Sequence, residues 1–157
     1  MKGRSSIIIF LIIMANHISL IAQTRTDSLA IEQAGKDYVE GWATGNLDRI
    51  RKAVSPELVK RIVSSDTEGL SYISDMSASL LLMAAKANIG GVDKRVPDFE
   101  PDKEFKVKVT IHDISGPNAM IKVVNTKYGF FDYCHLSKVN KEWKIINVLW
   151  DWLPKDE

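Results

Sequence analysis

Four residues in this sequence set a polar or aromatic end in apolar surroundings: Tyr38, Trp42, Asp132 and Asn147. Strand alternation puts Asp132 on one face with Cys134 and Leu136. A carboxylate on such a face has two uses. It takes a proton as a general base, or it is a structural acceptor bonded to Tyr38, Asn147 or backbone amides. Tyr38 and Trp42 are four residues apart and share a helix face. Their hydroxyl and indole N–H are either offered to a ligand or satisfied inside the core. Asn147, within Ile-Ile-Asn-Val-Leu-Trp, needs a partner for the same reason as Asp132.

Tyr133 and His135 occupy the opposite face of the Asp132 strand. The sequence leaves open which face meets the helices, and if theirs does, they replace Asp132 and Asn147 as interior residues. His112 ends the polar side of a strand that carries Lys106 and Lys108, where solvent is its default environment. Cys134 has no basic neighbour in sequence to activate it and reads as a small core residue. As the single cysteine it excludes an internal disulfide and a cysteine-based zinc site. No paired-ligand spacing supports a metal, and no glycine-rich loop opens a helix to cradle a phosphate. Neither metal nor cofactor is expected.

The elements that position these residues follow from periodicity. Thr26-Asp27-Ser28 starts a helix whose apolar face is Ile31, Ala34, Gly35, Tyr38, Val39 and Trp42. Gly45-Asn46 ends it and caps a second, with Leu47, Ile50 and Val54 as its stripe. Ser55-Pro56 predicts a third helix, with Leu58, Val59, Ile62 and Val63 on its apolar side. A short strand is expected near Leu70–Ile73, then a helix opened by Ser74–Ser77 and stopped by Gly90-Gly91. A loop with Pro97 and Pro101 follows.

From Lys103 four strands are expected, over Phe105–Ile111, Ala119–Lys127, Gly129–Val139 and Glu142–Asp151. Asn140-Lys141 is placed as a two-residue hairpin loop, so that Val139 faces Glu142. A regular ladder from that turn puts Asp132, Cys134 and Leu136 on one face with Trp143, Ile145, Asn147 and Leu149. Both faces are substantially apolar, as in a sheet covered twice, by helices and by a second surface. Helices followed by an antiparallel meander make an α+β plan.

Length and charge narrow the class. The 157 residues fit one domain, with 45% hydrophobic and 26% charged residues. Residues 1–22 read as a signal peptide: Lys2 and Arg4, then the apolar run Ile7–Met14, then a small residue, Ala22. The run is too short for a spanning helix, which needs roughly 20 apolar residues. Cleavage leaves residues 23–157 as a single domain, exported to a periplasm or the exterior and without a stable membrane anchor. Loss of Lys2 and Arg4 leaves 19 basic against 20 acidic residues, a net charge of −1. A near-neutral chain without a basic run is a poor nucleic-acid ligand.

The ordered pattern also resembles a known superfamily. Tyr-Val-Glu-Gly-Trp (38–42), Thr-Gly-Asn-Leu-Asp (44–48), Ser-Pro-Glu-Leu (55–58), Phe-Asp-Tyr (131–133), His-Leu (135–136) and Glu-Trp-Lys-Ile-Ile-Asn-Val (142–148) carry the likeness. It is to the nuclear transport factor 2-like (SnoaL-like, ketosteroid-isomerase-like) superfamily, and within it to the branch named "putative lumazine-binding". The resemblance implies a cone-shaped half-barrel, with N-terminal helices packed on a curved antiparallel sheet around an apolar cavity. It also implies a homodimer through the outer sheet face, and favours the Asp132 face as the inner one. A small apolar or aromatic ligand would then meet Tyr38, Trp42, Asp132 and Asn147. In enzymes of this kind an interior acid abstracts a proton beside a carbonyl. The alternative is therefore a cofactor-independent isomerase, cyclase or dehydratase, with Asp132 as base and Tyr38 as polarising acid. A third reading is a structural dimerisation or accessory module without ligand. Fold alone does not choose among them.

Overall fold

The computed structural model describes residues 25–91 and 104–154. The signal peptide read over residues 1–22 and the loop with Pro97 and Pro101 lie outside them. Helix α1 covers residues 25–44. It buries Ile31, Ala34, Tyr38, Val39 and Ala43, the three-and-four spacing of one helical face. Gly45 ends it at φ +71°, and the Asn46 side chain caps α2 (Leu47–Ala53) by accepting from the Arg49 amide at 3.1 Å.

The segment expected to form a third helix is a strand. β1 (Val54–Ser65) pairs with β2 (Ser71–Ser77), and Ser77 then caps α3 (Ala78–Lys86). Two facts explain the correction. Val59, Ile62 and Val63 are β-branched and lose less freedom in a strand than in a helix. Pro56 lies where the ladder to the neighbouring strand is interrupted, between Val54 and Val59, so its missing N–H is not called on. In the gap the Ser55 hydroxyl accepts from the Glu57 amide at 3.2 Å, a local turn that resembles a helix start in sequence.

β3 (Val107–Ser115), β4 (Asn118–Asn125), β5 (Phe130–Val139) and β6 (Glu142–Trp152) form the expected meander. The six strands lie in the order β2-β1-β6-β5-β4-β3, open at both edges. The expected all-antiparallel sheet is mixed instead, because β1 runs parallel to β6. That pairing brings the first half of the chain into the sheet made by the second half.

α1 lies across the concave face. A Cβ on Gly35 would stand 3.1 Å from side-chain carbons of Ile121 and Val109, so the glycine sets how closely helix and sheet approach. Beneath it the core contains Ile121, Val123, Cys134, Leu136, Ile145 and Val148. The β5–β6 turn has Asn140 and Lys141 at φ 51° and 70°, the left-handed pair of a two-residue hairpin.

Gly45 has no substitute at its position. Its φ is positive, and an added Cβ would lie 2.6 Å from the backbone nitrogen of Ile89, which cannot move aside as a side chain would. Gly45→Ala should therefore cost about 2–4 kcal/mol, backbone strain and overpacking together. Gly116→Ala, also at positive φ but with nothing within 4 Å, should cost only about 1 kcal/mol. Urea denaturation midpoints of the two variants check this, and equal losses would contradict it.

Candidate functional site

Three distant parts of the chain converge on one carboxylate. Asp132 on β5 has no exposed surface, and Tyr38 on α1 is 2% exposed. The Tyr38 hydroxyl donates to Asp132 Oδ1 at 3.1 Å. Lys60 of β1 reaches the same place, with its Nζ 2.6 Å from Asp132 Oδ1 and 2.7 Å from the Tyr38 oxygen. Both donors thus act on one carboxylate oxygen. The other, Oδ2, is buried and has no hydrogen-bond partner among the described residues. The Lys60 side chain retains 12% exposure, and through it the cluster reaches the surface.

Aromatic rings surround the ammonium. Lys60 Nζ lies 4.8 Å from the centre of Trp150 and 5.8 Å from that of Phe130, within cation–π range of both, and 5.3 Å from that of Tyr38, whose hydroxyl it meets edge-on. Trp42 extends the wall one turn beyond Tyr38, edge-on to Phe130 at 5.5 Å and to Tyr128 at 5.6 Å. Trp42, Tyr128 and Trp150 are half-buried.

The structure brings Tyr38, Trp42 and Asp132 together and separates Asn147 from them. The reason is a bulge. From the turn to Leu136↔Ile145 the hairpin follows the expected ladder, but His135 then pairs with Asn147 and Ile146 is left over. Beyond that point every β6 residue changes face. Val148 and Trp150 turn inward opposite Cys134 and Asp132, while Leu149, expected inside, is half-exposed beside Tyr133. Asn147 faces outward, where it accepts from Arg61 Nη1 at 2.7 Å and lies 3.4 Å from His135 Nδ1. The Asp132 face is the inner one, and Tyr133 and His135 lie outside.

Lys60 was not anticipated. Read as a helix, residues 55–63 put it on a solvated side. Read as a strand, the alternation Leu58, Lys60, Ile62 points it inward, and that alternation was the available signal.

Cys134 is fully buried in the core. Burial pushes its thiol well above the ordinary range, and the Asp132 charge adds to this while Lys60 opposes it. Burial likewise raises the Tyr38 hydroxyl well above its ordinary value, with the Asp132 charge acting in the same direction. Among the described residues no three His, Cys, Asp or Glu side chains are placed to hold a metal ion. No described helix is long and apolar enough to cross a membrane. One recess of about 310 Å³ opens on the outer face at Met120, His135 and Ile146, and another of about 390 Å³ between α1 and the β5–β6 hairpin. Neither is lined by Tyr38, Lys60 or Asp132.

Two measurements test this arrangement. Lys60→Met leaves a buried carboxylate without its cation and should cost about 3–5 kcal/mol in urea denaturation. Adding Asp132→Asn removes the stranded charge and should restore most of that loss, whereas additive losses would mean the two groups are not coupled. The second is stability against pH. Above about pH 9 the unfolded chain releases the Cys134 proton, and above about pH 10 the Tyr38 proton, while the folded protein keeps both. The unfolded state then binds fewer protons, so stability falls as pH rises, by about 1.4 kcal/mol per pH unit for each group. Cys134→Ala should remove the earlier part of that slope and Tyr38→Phe the later part. Unchanged slopes would show that neither proton is held by the fold.

Comparison with known proteins gives the context. The structure is similar to a nuclear transport factor 2-like protein of unknown function from Silicibacter pomeroyi DSS-3, at 15% identity and TM-score 0.60, covering 82% of this chain and 98% of that one. It is similar to another, from Shewanella baltica OS155, at 20% identity and TM-score 0.56, covering 83% and 96%. A third is described as a "putative scytalone dehydratase" from Novosphingobium aromaticivorans DSM 12444, at 12% identity and TM-score 0.54, covering 85% and 89%. At these identities the likeness is one of fold. No curated protein matches the sequence. Residues 26–151 match the family described as "Putative lumazine-binding", and the chain belongs to that family, with the nuclear transport factor 2-like α+β fold.

Proposed function

We propose that this domain binds a small, largely apolar or aromatic molecule on the inner face of its sheet, without a cofactor. The observation that carries the reading is Asp132 Oδ2. A buried carboxylate oxygen without a partner costs on the order of 1–3 kcal/mol or more. Trp150, the cross-strand partner of Asp132, and Trp42 on α1 are half-buried, and aromatic wall with a polar anchor is the pairing typical of a ligand site. Tyr38 and Trp42 contribute wall, Lys60 and Asp132 the anchor, and Asn147 no part of it.

The isomerase, cyclase or dehydratase alternative draws less from the geometry. A polarising acid needs a proton for the substrate carbonyl, and the Tyr38 proton is engaged by Asp132 while Lys60 occupies its oxygen. The neighbour described as a scytalone dehydratase keeps the class in view. Asp132 Oδ2 is the atom through which a base would act. The ligand-free structural module is the third reading.

Export and self-association complete the proposal. The charge and hydropathy of residues 1–22 support removal of a leader and residence in a periplasm or outside the cell. Support for a homodimer comes from the outer sheet face, where Met120, Tyr133, Ile146 and Leu149 stay at least one-third exposed. Mass spectrometry of protein recovered from an exporting host tests all of this. The denatured mass should correspond to residues 23–157. Native spectra should show a dimer with a discrete small-molecule adduct, lost in Trp42→Ala. A dimer with no adduct in any preparation would favour the structural module, and a monomer would remove the dimer.

A further inference from the structure

We infer that the anchor selects its ligand by charge and proton, and takes a neutral aromatic molecule bearing an O–H or N–H donor. The inference rests on the binding reading above and deepens it. Asp132 and Lys60 together are neutral, and Asp132 is the more deeply buried of the two, but its two oxygens are not equally paired. Oδ1 accepts from both Lys60 and Tyr38, whereas Oδ2 accepts from nothing. The negative end of the pair is therefore the end left to a ligand.

Three classes of molecule meet that end differently. An anion brings its charge against an unpaired carboxylate oxygen at low dielectric and is rejected. A cation would satisfy Oδ2, but it would have to sit beside Lys60 Nζ, which already lies 4.8 Å from the centre of Trp150 and 5.8 Å from that of Phe130 and bonds the Tyr38 oxygen. Like charges at that separation repel strongly where water is excluded. A neutral ring with a hydroxyl or N–H meets neither penalty and supplies the missing donor. An ether of the same shape fills the wall but leaves Oδ2 unsatisfied. Tyr38 does not compensate, because its single proton is directed at Oδ1.

Calorimetric titration of the folded protein with four naphthalene probes tests this: 2-naphthol, 2-methoxynaphthalene, 2-naphthoate and 2-naphthylmethylammonium. 2-Naphthol should bind about 10- to 100-fold more tightly than each of the others, the range set by one buried acceptor left unpaired. In Asp132→Asn, Lys60 and Tyr38 are both donors and hold the amide oxygen. The amide N–H₂ then takes the place of Oδ2, and 2-methoxynaphthalene should gain until the preference disappears. Equal binding of all four probes leaves the binding reading standing and overturns donor selection. Tightest binding of 2-naphthoate overturns it too, since the ligand would then be pairing with Lys60 and not with Asp132 Oδ2. No binding of any probe to protein that is folded by circular dichroism overturns both readings. Should Asp132→Asn fail to fold, the wild-type series still decides.

Discussion

A carboxylate removed from water has to be neutralised by protonation or paired with a cation, and Asp132 is paired. Its partner is not local. Lys60 is 72 positions away in sequence and Tyr38 is 94. Helix α1, strand β1 and strand β5 must therefore all be in place before the network of three polar groups is complete. Removing Lys60 leaves the carboxylate charge buried with Tyr38 as its sole hydrogen-bond donor among the described residues, in a core that includes Val123 and Cys134. The arrangement makes little sense as a source of net stability, because apolar residues of similar volume fill such a space at lower cost. It makes better sense as a device that fixes one charge in one orientation.

Topology does the positioning. β6 separates β1 from β5, so Lys60, which pairs with Val148, must reach across that strand toward Asp132, which pairs with Trp150. The ammonium crosses over the Trp150 ring at 4.8 Å. The ring is there only because of the bulge at Ile146. With a regular ladder Leu149 would face Asp132, Trp150 would point to solvent, and Asn147 would enter the core with an amide to satisfy. One extra residue thus exchanges a polar interior residue for an aromatic one, and it also assembles the outward contact of Asn147 with Arg61 and His135. Bulges that re-aim side chains in this way cluster near functional sites.

Much of this was legible in the residues. The helical face of Ile31, Ala34, Tyr38 and Val39, the Gly45-Asn46 cap and the strand alternation around Asp132 each have one clear period, and each appears as read. The segment at Ser55-Pro56 was not legible, because a serine hydroxyl over a proline turn has the same local chemistry at a helix start and at a strand interruption. Parallel pairing with β6 decided between them, and pairing partners are non-local. The bulge was hidden for a related reason. Ile145, Ile146 and Val148 are all apolar, so nothing in their order marks which one is skipped. Both failures bear on the site, since the first concealed Lys60 and the second misplaced Asn147.

The same network bears on how function divides between binding and chemistry. A fold that carries many activities leaves the distinction to its interior groups, and here each has a defined commitment. Tyr38 gives its proton to Asp132 and its oxygen to Lys60, which leaves it as wall and support. Lys60 gives its charge to a carboxylate and two rings. Of these three, only Asp132 has an oxygen, Oδ2, without a partner among the described residues, and one acceptor without a second free acid recognises a donor more readily than it completes a proton transfer with both an origin and a destination. For catalysis the substrate itself would have to supply the missing acid. On the reading proposed above, the site is better matched to holding a molecule than to changing one.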